Sequence, residues 1–184
     1  MRVLNVGGGS KAITIPPMYD GWEHVLLDIS PVGNPDIVAD ARELQTLPAG
    51  QYDSVYCSHN LEHYYPHEAF KVLAGFLHVL KPDGFAHIVV PDVGQVMADF
   101  VRGNMEIDAP LYEVKAGPIT VHDVLYGYNK AIAQSGVDFY AHKMGFTPSL
   151  LFRMLEDVGF DHPDIRPDPG NWEVEAFARK GTPA

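Results

Sequence analysis

The segment His59-Asn60-Leu61-Glu62-His63 sets two imidazoles four residues apart with a carboxylate beside the second. On a helix, positions i and i+4 share a face, so two such nitrogens can chelate zinc. As neutral imidazoles near pH 7, His59 and His63 can equally serve as general bases, with Glu62 orienting His63 or capping a helix. A plain hydrogen-bonding role is the alternative for either ring. Three observations weigh against the metal. The segment follows directly from a strand, Pro66 lies three residues after His63, and no paired downstream glutamate on a helix is evident. His122 or His142 would supply a third ligand only by tertiary accident, and nine histidines make so short a pattern easy to meet by chance. The expectation is therefore no metal. His24, His67, His78, His87 and His162 read as surface or structural residues.

Elements must position these groups, and the first half of the chain alternates strand and helix signals. Arg2 to Val6, Glu23 to Asp28, Asp36 to Ala39, Tyr52 to Ser58 and Gly84 to Val90 read as strands. Their near-continuous apolar runs indicate burial on both faces, the mark of a parallel sheet. Val72, Leu73, Phe76, Leu77, Val79 and Leu80 recur at helical spacing, between Pro66 and Lys81-Pro82-Asp83-Gly84. Val93 to Val101 and Val121 to Ala133 read as helices of an insertion over residues 93–146. Thr147-Pro148 opens another helix, which carries Leu150, Leu151, Met154, Leu155 and Val158 and stops at Gly159. Asn171 to Lys180 alternates apolar and polar residues, as a half-exposed strand at the sheet's end does. The sum is an open α/β sheet, mostly parallel, in one domain of 184 residues.

In such sheets ligands bind at the carboxyl ends of the strands, near the switch in strand order. That rule selects Gly7 to Gly9, Asp28, Asp40, Ser58 to His63, and Asp92. The three glycines permit close backbone approach to a ligand, or form an ordinary tight turn. They match a dinucleotide fingerprint poorly, because Lys11 stands where the third glycine belongs and Pro16-Pro17 oppose a long following helix. A nicotinamide-dependent oxidoreductase is disfavoured on that ground. Asp28 is suited to accept from ribose hydroxyls and Asp40 from an adenine amino group, although either carboxylate also suits a helix cap.

Leu4-Asn5-Val6-Gly7-Gly8-Gly9-Ser10, Leu26-Leu27-Asp28, Val38-Ala39-Asp40-Ala41, Leu61-Glu62-His63 and Leu80-Lys81-Pro82-Asp83-Gly84 follow one another at telling intervals. Their order and spacing resemble the class I S-adenosylmethionine-dependent methyltransferases, closest to the bacterial type-11-like group. Gly145-Phe146-Thr147-Pro148 through Val158-Gly159-Phe160 looks like that group's closing helix. The resemblance covers residues 1–92 and 142–180. It implies a Rossmann-like, doubly wound, mostly parallel sheet with an antiparallel C-terminal strand and a helical insertion after the fifth strand. It implies S-adenosylmethionine as cofactor and S-adenosylhomocysteine as product. Gly7, Gly8 and Gly9 would lie beside the methionine and ribose portions. Asp28, with the adjoining Ile29, would hold the ribose, and Asp40 with the Ala41 amide the adenine. Ser58, His59 and Asn60 would line the methionine end. Asn5 stands where an acidic residue is common, which weakens that contact to the cofactor amino group. The sequence begins at the first strand, so residues 93–146, or a second subunit in a homodimer, would cover the pocket.

The cofactor brings its own reactive sulfonium, so the protein must align the reactants and sometimes remove a proton. His63 and His59 are the candidate bases, and Tyr64, Tyr65, Asp92, Tyr140 and His142 the candidate substrate contacts. Thirteen basic side chains stand against 24 acidic ones, a formal net charge of -11 with no basic cluster. Nucleic acid and anionic membrane surfaces are therefore poor partners. A small-molecule or saccharide-like acceptor is expected. The alternatives are a non-catalytic cofactor-binding relative and a zinc hydrolase built on H-x-x-E-H, the pattern of inverted zinc peptidases. Apolar runs are short, and the single cysteine, Cys57, rules out an internal disulfide. A cytoplasmic location is expected.

Overall fold

The computed structural model describes residues 1–114 and 117–181. Seven strands form one sheet: β1 (Arg2–Val6), β2 (Glu23–Asp28), β3 (Ile37–Val38), β4 (Tyr52–Ser58), β5 (Leu80–Pro91), β8 (Phe160–Asp168) and β9 (Glu173–Lys180). Their spatial order is β3-β2-β1-β4-β5-β9-β8. The first five run parallel, β9 is antiparallel to β5, and β8 is antiparallel to β9. The order reverses between β1 and β4, which opens a crevice at the carboxyl ends of those two strands.

Alternation along each strand sorts the residues between two faces. Leu4, Val6, Val55, Cys57, Ile88, Val90, Val174 and Ala176 point to one side. There they pack against α1 (Pro66–Val79) and α5 (Pro148–Val158) through Val72, Leu73, Phe76, Leu151 and Leu155. The helix α5 starts where expected, with Thr147 Oγ1 accepting from Leu150 N at 3.3 Å and Pro148 in the first turn. It ends on Gly159 in the left-handed region.

The other face is covered differently. Between β1 and β2 the chain makes only a 3-10 turn, Pro17–Tyr19, in keeping with the two prolines. Tyr19 and Trp22 lie edge to face at 5.2 Å, and Trp22 meets Phe85 at 6.4 Å. A polar chain runs beneath them. Ser54 Oγ and Tyr19 Oη are 3.0 Å apart, Tyr19 Oη and His87 Nδ1 3.2 Å, and His87 Nε2 and Glu175 Oε1 2.8 Å. The buried hydroxyls of Ser54 and Tyr19 and both ring nitrogens of His87 therefore have partners.

The insertion holds α2 (Val93–Arg102), α3 (Val121–Tyr126) and α4 (Asn129–Ser135), and also a hairpin of β6 (Pro110–Val114) and β7 (Gly117–Thr120). The expected helical character is there, and the hairpin lies between the two segments read as helices, in a stretch given no element. The single helix expected over 121–133 is two helices, because Gly127 takes φ of 100° and pairs with Ala141. A Cβ at Gly127 would run into the Tyr140 carbonyl. Val96, Val121 and Val124 form a second small core with Phe100, Leu111, Tyr112 and Trp172 around it. The strand β8 was not expected. It carries Pro163, Pro167 and four charged residues and sits at the sheet's edge, where such residues belong. Among the described residues, no helix is long and apolar enough to cross a membrane.

Phe146 is fully buried and pairs with Asp92, fastening the end of the insertion to the end of β5. Phe146→Ala is expected to cost roughly 3–5 kcal/mol in chemical denaturation. Burial pushes the His87 imidazole below its ordinary 6.5, although Glu175 pulls it back in part. The neutral ring is then the native form, so its contribution is complete above pH 6.5 and is lost as pH falls below that value. The denaturation midpoint should decline from pH 6.5 downward, and less steeply in His87→Gln.

Candidate functional site

The crevice between β1 and β4 is built from backbone first. Gly7 leaves β1 with φ of 72°, and a Cβ there would collide with the Asn60 side chain. Glycine therefore lets the turns after β1 and β4 close on one another. The Asp28 carboxylate, at the end of β2, accepts from Gly9 N at 2.9 Å and from Ser30 N at 2.8 Å. Each oxygen keeps lone pairs for a further donor. A cleft of about 680 Å³ runs past Gly7, Gly9, Asp28, Ile29, Asp40, Asn60 and Tyr64. Residues 138–140 and Lys143 of the insertion border its far side, and Ala41 lines a small adjoining pocket that shares Gly7, Asp28, Asn60 and Tyr64 with it. A volume of this order suits a nucleoside-sized ligand.

Other expected contacts sit elsewhere. Asn5 is buried with its Nδ2 3.2 Å from His24 Nε2, and it supports Gly8 from below instead of entering the cleft. Asp92 caps α2 by accepting from Gln95 N at 3.1 Å. Tyr65 caps α1 and lies under the Lys143 ammonium, 5.6 Å from the ring centre. Ser58 ends β4 below the cleft, with its hydroxyl toward Tyr56. Asp40 accepts from Arg42 N at 2.9 Å and forks with the Arg42 guanidinium, which also pairs with Glu68. Burial would raise the Asp40 carboxyl, but those arginine bonds outweigh it and hold the group below its usual range. Arg42 and Glu68 had no distinguishing signal in the sequence.

The His59–His63 segment forms a 3-10 turn, Leu61–His63, in place of the α-helix that i,i+4 chelation needs. His59 has φ of 49°, which swings its ring to the rim. There Nε2 is 3.0 Å from Glu173 Oε1, and Nδ1 is 3.7 Å from Glu62 Oε1. Burial alone would lower its pKa, yet the two carboxylates raise it to about 10. His59 is thus an imidazolium near neutrality and not the neutral base expected. His63 Nδ1 lies 3.2 Å from the Ala141 carbonyl, and His142 Nδ1 lies 2.8 Å from that of Val124. A carbonyl only accepts, so both rings donate from Nδ1, which in the neutral form leaves the lone pair on Nε2. The two rings meet edge to face at 5.0 Å. His142 therefore does reach the segment from the far end of the insertion. The Glu62 carboxylate is 2% exposed, and it lies under both rings.

A second, smaller cleft of about 180 Å³ opens over this group. His59, His63 and Tyr140 belong to both clefts, while Tyr112, Asp123, Tyr128 and His142 line only the second. Burial pushes the Tyr112 hydroxyl above its usual value, and it stacks on Trp172 at 6.0 Å.

Comparison with known proteins is consistent with this geometry. Residues 4–88 match the family model of the type-11 methyltransferase domain. A search of curated proteins returns no match. Among solved structures, an S-adenosylmethionine-dependent methyltransferase from Archaeoglobus fulgidus superposes with a TM-score of 0.60 at 18% identity, covering 97% of this chain and 86% of that one. One from Methanosarcina mazei gives 0.61 at 18%, with 99% and 93% covered. The 1,6-didemethyltoxoflavin-N1-methyltransferase of Burkholderia thailandensis, solved with its acceptor and S-adenosylhomocysteine, gives 0.57 at 18%, with 97% and 70% covered. Residues 4–88, a little under half of the chain, thus match a methyltransferase family model, and the chain as a whole shares its fold with these S-adenosylmethionine-dependent methyltransferases.

Proposed function

We propose that the chain moves a methyl group from S-adenosylmethionine to a small-molecule acceptor, saccharide-like acceptors included, seated in the smaller cleft. The observation that carries this reading is the junction of the two clefts at His59, His63 and Tyr140. A ligand in the larger cleft thereby meets one in the smaller cleft end to end, as in-line displacement requires.

Bound S-adenosylmethionine supplies a methyl group activated by its sulfonium. The residues around it fit such a ligand in charge as well as size. Asp28, Asp40, Glu68 and Asp138 face the larger cleft, against Arg42 and Lys143. Arg42 is already committed to Asp40 and Glu68, so the field left over is negative and favours a cation. Asp28, fixed by two backbone N–H groups, offers its remaining lone pairs to a ribose diol. Ala41 and the unshared positions of Asp40 serve the adenine. The His59 imidazolium, between the two clefts, suits the carboxylate of the methionine portion. On the acceptor side, His63 and His142 present lone pairs and can only receive a proton or a positive charge. The tyrosines supply flat apolar walls with hydroxyl tips for a polar ring.

Calorimetric titration with S-adenosylmethionine and S-adenosylhomocysteine should show saturable binding, with none for NAD. Asp28→Ala should weaken both about 10- to 100-fold, the value of one or two hydrogen bonds to a charged group. Absence of binding to the intact protein at millimolar ligand would overturn the reading. Binding without turnover across a panel of hydroxyl, amine and thiol acceptors would point to a non-catalytic cofactor-binding protein.

A further inference from the structure

Glu62 is the anomaly of the smaller cleft. Its carboxylate is 2% exposed, and neither oxygen has a hydrogen-bond partner among the described residues. The neighbouring nitrogens do not remedy this. The His59 imidazolium, its Nδ1 3.7 Å from Oε1, supplies charge attraction, but it and His142 Nε2 at 4.0 Å both lie beyond hydrogen-bond reach. An unsatisfied buried carboxylate costs several kcal/mol by rough reckoning, so an isolated one is rare in a folded protein.

The tautomers sharpen the problem. His63 and His142 spend their Nδ1 protons on the carbonyls of Ala141 and Val124. Their Nε2 atoms are then lone pairs, as are both Glu62 oxygens. One donor atom each from Glu62, His63 and His142 falls within 4.8 Å of the other two. Acceptors gathered this closely, with both rings neutral, attract a further cation beyond the His59 imidazolium that stands 3.7 Å from Glu62 Oε1.

We propose that Glu62, His63 and His142 hold a divalent transition-metal cation of the zinc type, with an open position facing the acceptor cleft. Two imidazoles and one carboxylate are a known catalytic donor set for zinc, and imidazole nitrogens disfavour magnesium and calcium. Zinc ligands lie about 2.0–2.1 Å from the ion, hence about 3.4 Å from each other, so the side chains close by roughly 1 Å on binding. The carbonyls of Ala141 and Val124 already act as the outer partners that orient metal-bound histidines.

The use of this ion rests on the methyltransferase reading, although its binding does not. An acceptor hydroxyl coordinated at the open position loses its proton more easily, and the proton passes to water. The oxygen then attacks the methyl carbon, the C–O bond forms as the C–S bond breaks, and neutral S-adenosylhomocysteine leaves. The net change is R–OH plus the sulfonium cation giving R–OCH₃, S-adenosylhomocysteine and H⁺.

The test begins with chelator-stripped full-length protein titrated with Zn²⁺, Co²⁺ and Mg²⁺. One equivalent of Zn²⁺ or Co²⁺ should bind, with the visible absorption bands of low-coordinate cobalt, and Mg²⁺ should not. His142→Ala and the isosteric Glu62→Gln should each weaken Zn²⁺ binding by at least the roughly 10- to 100-fold that loss of an outer partner costs elsewhere. His162→Ala, at a ring 97% exposed, should leave it unchanged. Circular dichroism and S-adenosylhomocysteine binding of the same variants check that they are folded. No stoichiometric zinc, or zinc retained unchanged in both folded variants, overturns the proposal. Cofactor binding by the stripped protein would then leave the methyltransferase reading standing, whereas loss of cofactor binding with zinc still bound would remove that reading alone.

Discussion

The Glu62 carbonyl accepts from Lys143 N at 2.8 Å and from Met144 N at 3.3 Å, and the two halves of the molecule meet at that point. On one side is the turn after β4, fixed to the sheet by the fully buried Leu61. On the other is the return of the chain from a long excursion that began at Asp92. Without this junction, residues 138–143 would not border the larger cleft, and His142 would not stand over Glu62. The constraint is a local one. A 3-10 turn exposes backbone carbonyls that an α-helix would spend internally, and here one of them receives two donors.

The parallel half of the sheet is legible in the sequence because its strands are buried on both faces and therefore read as apolar runs. Arg2–Val6, Glu23–Asp28 and Tyr52–Ser58 begin and end where those runs do. The segments that escape detection have mixed polarity for physical reasons. The edge strand Phe160–Asp168 has one side free, so it tolerates prolines and charges. The hairpin Pro110–Val114 and Gly117–Thr120 is half-buried against a small core, and its alternation is too short to register. The start of β5 at Leu80 is also earlier than the Lys81-Pro82-Asp83-Gly84 punctuation suggests, because Leu80 already pairs with Tyr52.

The site divides in the same way. Gly7, Gly9 and Asp28 follow from strand order and can be found by counting strands, since the crevice rule depends only on topology. Asn60 and Tyr64 follow from their distance beyond β4. Glu62 looked like an orienting or capping group because its meaning depends on His142, 80 positions later along the chain. Periodicity cannot announce a contact of that range. Asn5 illustrates the opposite case. Its place in a motif suggested a ligand contact, but the alternation of β1 turns it to the face that carries His24.

The insertion has its own core of Val96, Val121 and Val124, apart from the one between the sheet and its helices. Residues packed in separate cores and sharing no partners combine their mutational effects nearly additively. Tyr112, Tyr128 and Asp123 line the smaller cleft from that side, while Gly7, Asp28 and Ala41 lie at the ends of the parallel strands and beside the main core. Changes in the first group can therefore accumulate without eroding the second. A lineage built on this plan is free to vary the walls of the smaller cleft, at a rate set by the tolerance of a three-valine core, while the crevice between β1 and β4 stays as it was.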